Sequence, residues 1–400
     1  RGLGDVYKRQ GTHVGCAIIG CGKALPALDV TNDDMAKLVD TSDEWISKRT
    51  GIKSRKVAIT ETTTDLAEQA SRQAMGWIEG GYSEREINPE EIDLVVLSTV
   101  TADVLVPSNA AIIRRRLGLK NAACFDLNAA CSGFMYALTV AEAMVAASAT
   151  AKNRSDMVRA LVISVDRPSR ITNWADRNTC VLLGDGAGAV VIEYDPSRAG
   201  VLSTYIANED DVHNSLTCPM PLDVVPPFDE NGVNFDAPNQ PEKSHGSIDE
   251  ELGIVESLEA GAPRNVLRMN GQQVFKFSGR AMKQAVSEVC QRAGVPINEV
   301  KLVVPHQANE RIIDFGARRM DVTKDLFQVS IAHRGNSSGA SVPMALADAY
   351  EQGAIHKGDK IVLVAFGGGF TLGAVLYEVQ IIYLLDICLL YTSPSPRDGL

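Results

Sequence analysis

Short β-branched apolar runs alternate with amphipathic or alanine-rich stretches along most of this sequence. The runs Asp93–Leu97, Ala160–Ser164, Lys301–Val304 and Lys360–Val364 read as buried strands, because consecutive apolar residues leave neither strand face for water. Thr64–Ile78, Ser132–Ser148 and Arg280–Ala293 read as helices. Strands separated by helices predict parallel sheets covered on both faces, an α/β layered protein.

Two pairs of segments recur in the same order. Ile87-Asn-Pro-Glu-Glu-Ile-Asp-Leu-Val-Val96 resembles Ile297-Asn-Glu-Val-Lys-Leu-Val-Val304, and Gly188–Tyr194 resembles Gly373–Val379. The chain therefore reads as two copies of one α/β unit, residues 11–195 and 196–385. The rhythm breaks over 218–263, which is rich in proline, then in acidic and small residues. That composition predicts a surface excursion with a short helix near Asp249–Leu258. It is either a solvated insertion or an element that gates substrate or caps a dimer.

The two ends read as foreign. One DNA sequence that encodes Asp5–Gln10 also encodes most of Cys388–Ser393 when its complementary strand is read in another frame. The pair resembles a transposon-type sequencing adapter, so residues 1–10 and 386–400 are set aside as non-native flanks.

Composition narrows the function class. Lys plus Arg number 39 against 50 Asp plus Glu, a net charge of −11. Such a chain suits neither nucleic acid nor an anionic membrane unless a local basic patch opposes the average. The eight cysteines include no CxxC and no Cys/His run, which argues against a disulfide scaffold or zinc ribbon and for a reducing compartment, the cytoplasm. The histidines lack ligand spacing with each other or with cysteine, so no metal is expected. No stretch reaches the roughly 18 apolar residues of a membrane span, and no charged-then-apolar pattern opens the sequence.

Four places could carry chemistry. Cys131, in Asp126-Leu-Asn-Ala-Ala-Cys-Ser-Gly-Phe134, sits among small residues that permit a tight strand-to-helix turn, with the helix starting at the cysteine itself. The positive helix end and its unpaired N–H groups favour thiolate and can hold a thioester oxyanion. Taken alone, such a cysteine is more often a small buried hydrophobe. His306, in Val304-Pro-His-Gln-Ala-Asn309, follows a buried strand, at the end where open α/β sheets place their ligands. Asn336 lies in His333-Arg-Gly-Asn-Ser-Ser-Gly339, a tight loop able to present an amide. In Phe366-Gly-Gly-Gly-Phe370 the backbone can approach a bound group, and the absence of GxGxxG spacing makes a dinucleotide site a weak reading. A structural histidine and a plain turn are the bland readings of His306 and Asn336.

Taken in order, Ala129–Phe134, Pro305–Asn309, Gly335–Ser338 and Phe366–Phe370 resemble the β-ketoacyl-[acyl-carrier-protein] synthase III family of the thiolase superfamily. Thr41-Ser-Asp-Glu-Trp-Ile46, Arg49-Thr-Gly-Ile52 and Gly184-Asp-Gly-Ala-Gly188 support the likeness, which spans about residues 13–380. It implies a thiolase-like duplicated five-layered αβαβα fold, in keeping with the internal repeat.

The resemblance further implies a triad of Cys131, His306 and Asn336. Cys131 would take an acyl group from acyl-CoA. His306 and Asn336 would hold the enolate left when malonyl-ACP loses CO2, and the N–H groups of Cys131 and Gly368 would form the oxyanion hole. No cofactor is implied, since decarboxylation drives the condensation. Thr41, Trp45 and Arg177 match CoA-binding positions, and Phe366 matches a residue beside the nucleophile. Lys276, Arg311, Arg318 and Arg319 match a basic patch that docks acyl carrier protein, although a solvated cationic face would look the same. A homodimer is implied as well. Two positions depart from the family pattern. Val106 stands where a bulky phenylalanine reaches across the dimer to cap the acyl tunnel, which predicts a deeper pocket for branched or medium-chain starters. Ser132 replaces a more common alanine. A secondary-metabolite paralogue, condensing or transferring another acyl group with the same triad, is the alternative function.

Overall fold

The computed structural model describes residues 15–150, 158–219, 228–229, 232–233 and 265–380. The set-aside flanks, most of 218–263 and the helix expected at Asp249–Leu258 lie outside the described residues.

A six-stranded sheet is built from β1 (Cys16–Ala24), β2 (Tyr82–Ser83), β3 (Leu94–Ser98), β4 (Ala123–Leu127), β5 (Arg159–Asp166) and β6 (Gly186–Tyr194), in the order β2-β1-β6-β5-β3-β4. A four-stranded sheet contains β7 (Val201–Asn208), β8 (Val300–Pro305), β9 (Lys360–Gly367) and β10 (Thr371–Glu378), in the order β8-β9-β10-β7. The sheets are mixed, not parallel as the strand–helix alternation predicts. Within the first, β3 pairs parallel with β4 and β5, but β5–β6 and β1–β6 are antiparallel. The link between β5 and β6 makes short turns instead of a crossover helix, so the chain returns reversed.

The same topology appears twice. In β3-β5-β6-β1 and in β8-β9-β10-β7 the successive pairings run parallel, antiparallel, antiparallel. The repeated sequence pairs fall on matching elements: a 3-10 turn leads into β3 and another into β8, and the second pair forms β6 and β10.

Helices fill the layers. α1 (Asp43–Thr50) buries Ile46 in a separate cluster with Met35, Cys180 and Ile331, while α2 (Thr63–Ala74) and α3 (Asn109–Arg116) cover the outer face of the six-stranded sheet. α4 (Gly133–Thr150) and α7 (Ser341–Glu351) lie between the sheets, and α5 (Gly271–Ala293) with α6 (Glu310–Met320) covers the outer face of the four-stranded sheet. The middle layer joins Leu94, Phe134, Leu138, Leu346, Tyr350 and Leu363 in one buried cluster, each such side chain contributing roughly 1.5–3 kcal/mol. A helix touching a sheet on both sides must be apolar nearly all round. Ala130–Ala149 is therefore long and apolar enough to cross a membrane by length and composition, contrary to the sequence reading, and it lies between sheets.

Two helices differ in extent from their sequence reading. α2 stops at Ala74, and Trp77 turns its indole to donate to the Ile87 carbonyl at 2.8 Å. α5 starts nine residues before Arg280, capped by the Asn270 side chain, which accepts from the Gln273 N–H.

Candidate active site

β4 delivers the chain to Asn128, whose side chain accepts the Ala130 N–H at 3.0 Å. Ala130 adopts a left-handed conformation (φ 47) and Ala130–Ser132 form one 3-10 turn. The α-helix begins at Gly133, two residues beyond Cys131. A Cβ on Gly133 would fall 1.8 Å from Ser98 Oγ, and one on Gly367 would fall 2.7 Å from the Cys131 nitrogen. Glycine at both places lets the turn wedge between strand ends. Ser132 now has a physical account: its buried hydroxyl donates to the Thr371 carbonyl at 3.2 Å and lies 3.0 Å from Thr371 Oγ1, tying the turn to the start of β10.

Burial opposes the thiolate that the helix end favours. Burial pushes the Cys131 thiol up to about 11, and the Asp166 charge adds to this, while a hydrogen bond from Ser338 Oγ, 3.5 Å from Sγ, opposes it.

His306 follows β8, its N–H bonded to the Val364 carbonyl at 2.8 Å and its ring edge-on to Phe366 at 5.5 Å. Burial takes the imidazole down to about 3, so it is neutral. Ser341 Oγ accepts the Gln307 N–H at 3.1 Å and lies 2.6 Å from His306 Nδ1. The Ser341 proton has no other acceptor among the described residues, which assigns it to Nδ1 and puts the ring proton on Nε2. Asn336 is held by its backbone, donating to the Leu182 carbonyl (2.8 Å) and accepting from Gly184 (3.0 Å). Its Oδ1 accepts the Ser338 N–H at 2.9 Å, which leaves the Nδ2 donors for the cavity.

Cys131, His306, Asn336, Phe366 and Gly368 line one cavity of about 1580 Å3. Trp45 lines it too. Arg177 Cζ lies 4.9 Å from the Trp45 ring centroid, as the sequence pairing anticipates, and Arg49 lies 4.5 Å from the same ring. Arg177 itself is not among the lining residues, nor is Thr41, whose buried hydroxyl has no hydrogen-bond partner among the described residues. Val106 is 81% exposed and outside the lining. Of the basic residues Arg311 lines the cavity; Lys276, Arg318 and Arg319 are exposed on α5 and α6 outside it. Among the described residues, no three His, Cys, Asp or Glu cluster as a metal site.

Two halves of a family description match in sequence: 3-oxoacyl-[acyl-carrier-protein] synthase III over residues 125–209 and its C-terminal region over 290–379. The β-ketoacyl-[acyl-carrier-protein] synthase III of Clostridium acetobutylicum is 38% identical over 361 residues, covering 90% of this chain and 98% of the relative. The chain belongs to the β-ketoacyl-[acyl-carrier-protein] synthase III family. The crystal structure of the Aquifex aeolicus synthase III superposes with TM-score 0.72 at 36% identity, over 91% of this chain and all of that one. The Pseudomonas aeruginosa synthase III gives 0.75 at 31%, covering 92% and 99%. The fold is thus the thiolase-like arrangement, and the chain is an acyl-transferring condensing enzyme of fatty acid synthesis.

The sequence motifs did not single out Arg49, Ser338, Ser341 and Asp166 as residues of the site. Arg49, Ser338 and Ser341 stood within or beside the motifs, but small polar residues in a glycine-rich loop carry no signal of what they touch. Asp166 ends a strand read only as core, and nothing in its neighbours announces a buried carboxylate.

Proposed function

We propose that this chain condenses an acyl-CoA starter with malonyl-ACP, giving β-ketoacyl-ACP, CoA and CO2, through an acyl group held on Cys131. One observation carries the reading: three side chains from separate loops, Cys131, His306 and Asn336, line a single cavity. Cys131 attacks the thioester carbonyl, whose oxyanion meets the N–H groups of Cys131 and Gly368. CoA leaves and malonyl-ACP takes its place. As CO2 departs, negative charge builds on the malonyl thioester oxygen. His306 Nε2–H and the Asn336 amide donate to that oxygen, each placed donor contributing typically about 3 kcal/mol. The carbanion then attacks acyl-Cys131. A neutral imidazole suits this role because it donates without first having to lose a charge.

Trp45 with Arg177 and Arg49 offers a stacking surface for the CoA adenine. Lys276, Arg311, Arg318 and Arg319 offer a basic face to the acidic carrier protein. We place the two repeats at 11–195 and 196–385, and the working form as a cytoplasmic homodimer. Exposed Leu105 and Val106, at 82% and 81%, support an interface there, and the seven cysteines of the described residues are all free. No cofactor takes part in the proposed steps. Incubation with labelled acyl-CoA followed by peptide mass spectrometry should find the acyl mass on Cys131 and none on Cys131→Ala. Label on another residue would overturn the reading.

A further inference from the structure

The backbone of Asn336 is held by Leu182 and Gly184, and Leu183 pairs with it in a parallel bridge. A third segment, the short strand Ser54–Val57, clamps both of these. The Lys56 carbonyl accepts the Asp185 N–H at 2.8 Å, and the Lys56 N–H donates to the Arg334 carbonyl at 3.4 Å. Lys53 donates to the Ala332 carbonyl at 2.7 Å. Among these backbones lies the Arg55 side chain, fully buried. A Cβ on Gly335 would fall 3.0 Å from Arg55 Cβ, and one on Gly184 would fall 3.3 Å from it. The neighbour of Asn336 and its backbone partner thus rest on the stem of one arginine.

The Arg55 guanidinium donates to uncharged oxygens on three segments: the Val30 carbonyl at 3.1 Å, the Asn32 side chain at 2.9 Å and the Val181 carbonyl at 2.7 Å. Val181 adjoins Leu182, the acceptor of the Asn336 N–H. Asn32 is 1% exposed and donates in turn to the Ile52 carbonyl and to Asp43 on α1, both at 2.8 Å. Burying a cation among uncharged acceptors is unfavourable. A hydrocarbon side chain would fill the same space without that penalty, but it could not hold three oxygens at once as the planar fork does.

We propose that Arg55 is a positioning residue for Asn336. Its guanidinium fixes the 181–184 segment, and through that segment the direction in which the Asn336 amide donates to the enolate oxygen. Arg55 is not among the residues lining the cavity, so it touches no substrate and acts through Asn336. His306 has separate support from Ser341, and the nucleophile turn from Thr371. Loss of Arg55 therefore weakens one of the two enolate donors and leaves acylation of Cys131 alone.

The inference rests on Asn336 as an enolate donor, and the test separates the two. Acylation of the full-length protein by acetyl-CoA is followed in a single turnover. The isolated acyl-enzyme is then given malonyl-ACP and its CO2 release is timed. Arg55→Met, which keeps the stem, should release CO2 about tenfold more slowly at saturating malonyl-ACP, with KM and the acylation rate within about twofold of wild type. Arg55→Lys keeps the charge without the fork; it should lose about fivefold and guards against a folding failure of the first variant. In an Asn336→Ala background, Arg55→Lys should add less than a twofold loss, because the group it directs is gone. Equal losses in both half-reactions, a loss that multiplies with that of Asn336→Ala, or CO2 release within twofold of wild type in either folded variant would overturn the positioning role. Unchanged CO2 release in Asn336→Ala alone would overturn the donor, and the role of Arg55 with it.

Discussion

Ser341 Oγ stands 2.6 Å from Nδ1 of His306, and the same oxygen accepts the backbone N–H of Gln307. One hydroxyl thereby fixes both the orientation of the imidazole and the nitrogen that carries its proton. Ser341→Ala should slow malonyl-ACP decarboxylation about 10- to 100-fold, the usual cost of losing such a support, while acylation of Cys131 is nearly unchanged. Comparing the two half-reactions checks this; an equal loss in both would point to general disorder of the site.

The buried imidazole sets a pH signature. With His306 held near 3, malonyl decarboxylation should show no acid limb near pH 6.5 and remain flat down to about pH 5. The sign for stability follows from the same depression. The unfolded chain takes up a proton below about 6.5 that the folded one refuses, so this contribution is intact above that pH. It is lost as pH falls towards 3. A midpoint near 6.5 in rapid-quench decarboxylation would contradict the burial argument.

Gly367→Ala would place a methyl group 2.7 Å from the Cys131 nitrogen. Relief requires the nucleophile turn to shift, which costs typically 1–3 kcal/mol. Acylation should fall at least about tenfold with the circular dichroism spectrum unchanged, and acyl-enzyme formation by mass spectrometry would measure it.

Val106 gives a specificity prediction. If its small side chain deepens the acyl pocket across a dimer, competition among acetyl-, isobutyryl- and octanoyl-CoA should favour the branched or medium-chain starters. Val106→Phe should return preference to acetyl-CoA by about tenfold, in the range expected for a change of a few methylenes. Strict acetyl preference in the wild type would sink the idea.

Asp348 tests the tie of α7 to β1 and to the loop at Arg334. Only 3% of its side chain is exposed, and it accepts Lys23 Nζ at 2.6 Å and Arg334 at 2.6 Å. Asp348→Ala takes the carboxylate from Arg334 and leaves Lys23 to Glu351, and should cost about 3 kcal/mol, readable as a lower midpoint in urea unfolding.

The layers were legible in the sequence, as was the grouping of Cys131, His306 and Asn336 that the structure brings to one cavity, because apolar runs and small-residue motifs record local constraints. The reversed sense of β6 was not. It depends on whether the stretch after β5 spans the sheet or turns back, which residue types alone do not specify. The effect of burial on the Cys131 thiol was not readable either. The helix end is visible in a local run of small residues, whereas burial comes from chain segments hundreds of positions away, Gly367 among them. Arg177 over Trp45 was readable as a pairing, and Arg49 shares that ring from one turn further along α1. The Ser132 tether to Thr371 could not be read, since its partner is 239 residues distant.

Sulfur and imidazole hang from different sheets, yet those sheets enclose a single continuous cluster through α4 and α7. Nothing in such a sandwich can part slowly at the seam while its slabs stay intact. Heating should therefore abolish turnover and melt the whole body at one temperature, with no inactive but still native-like stage in between.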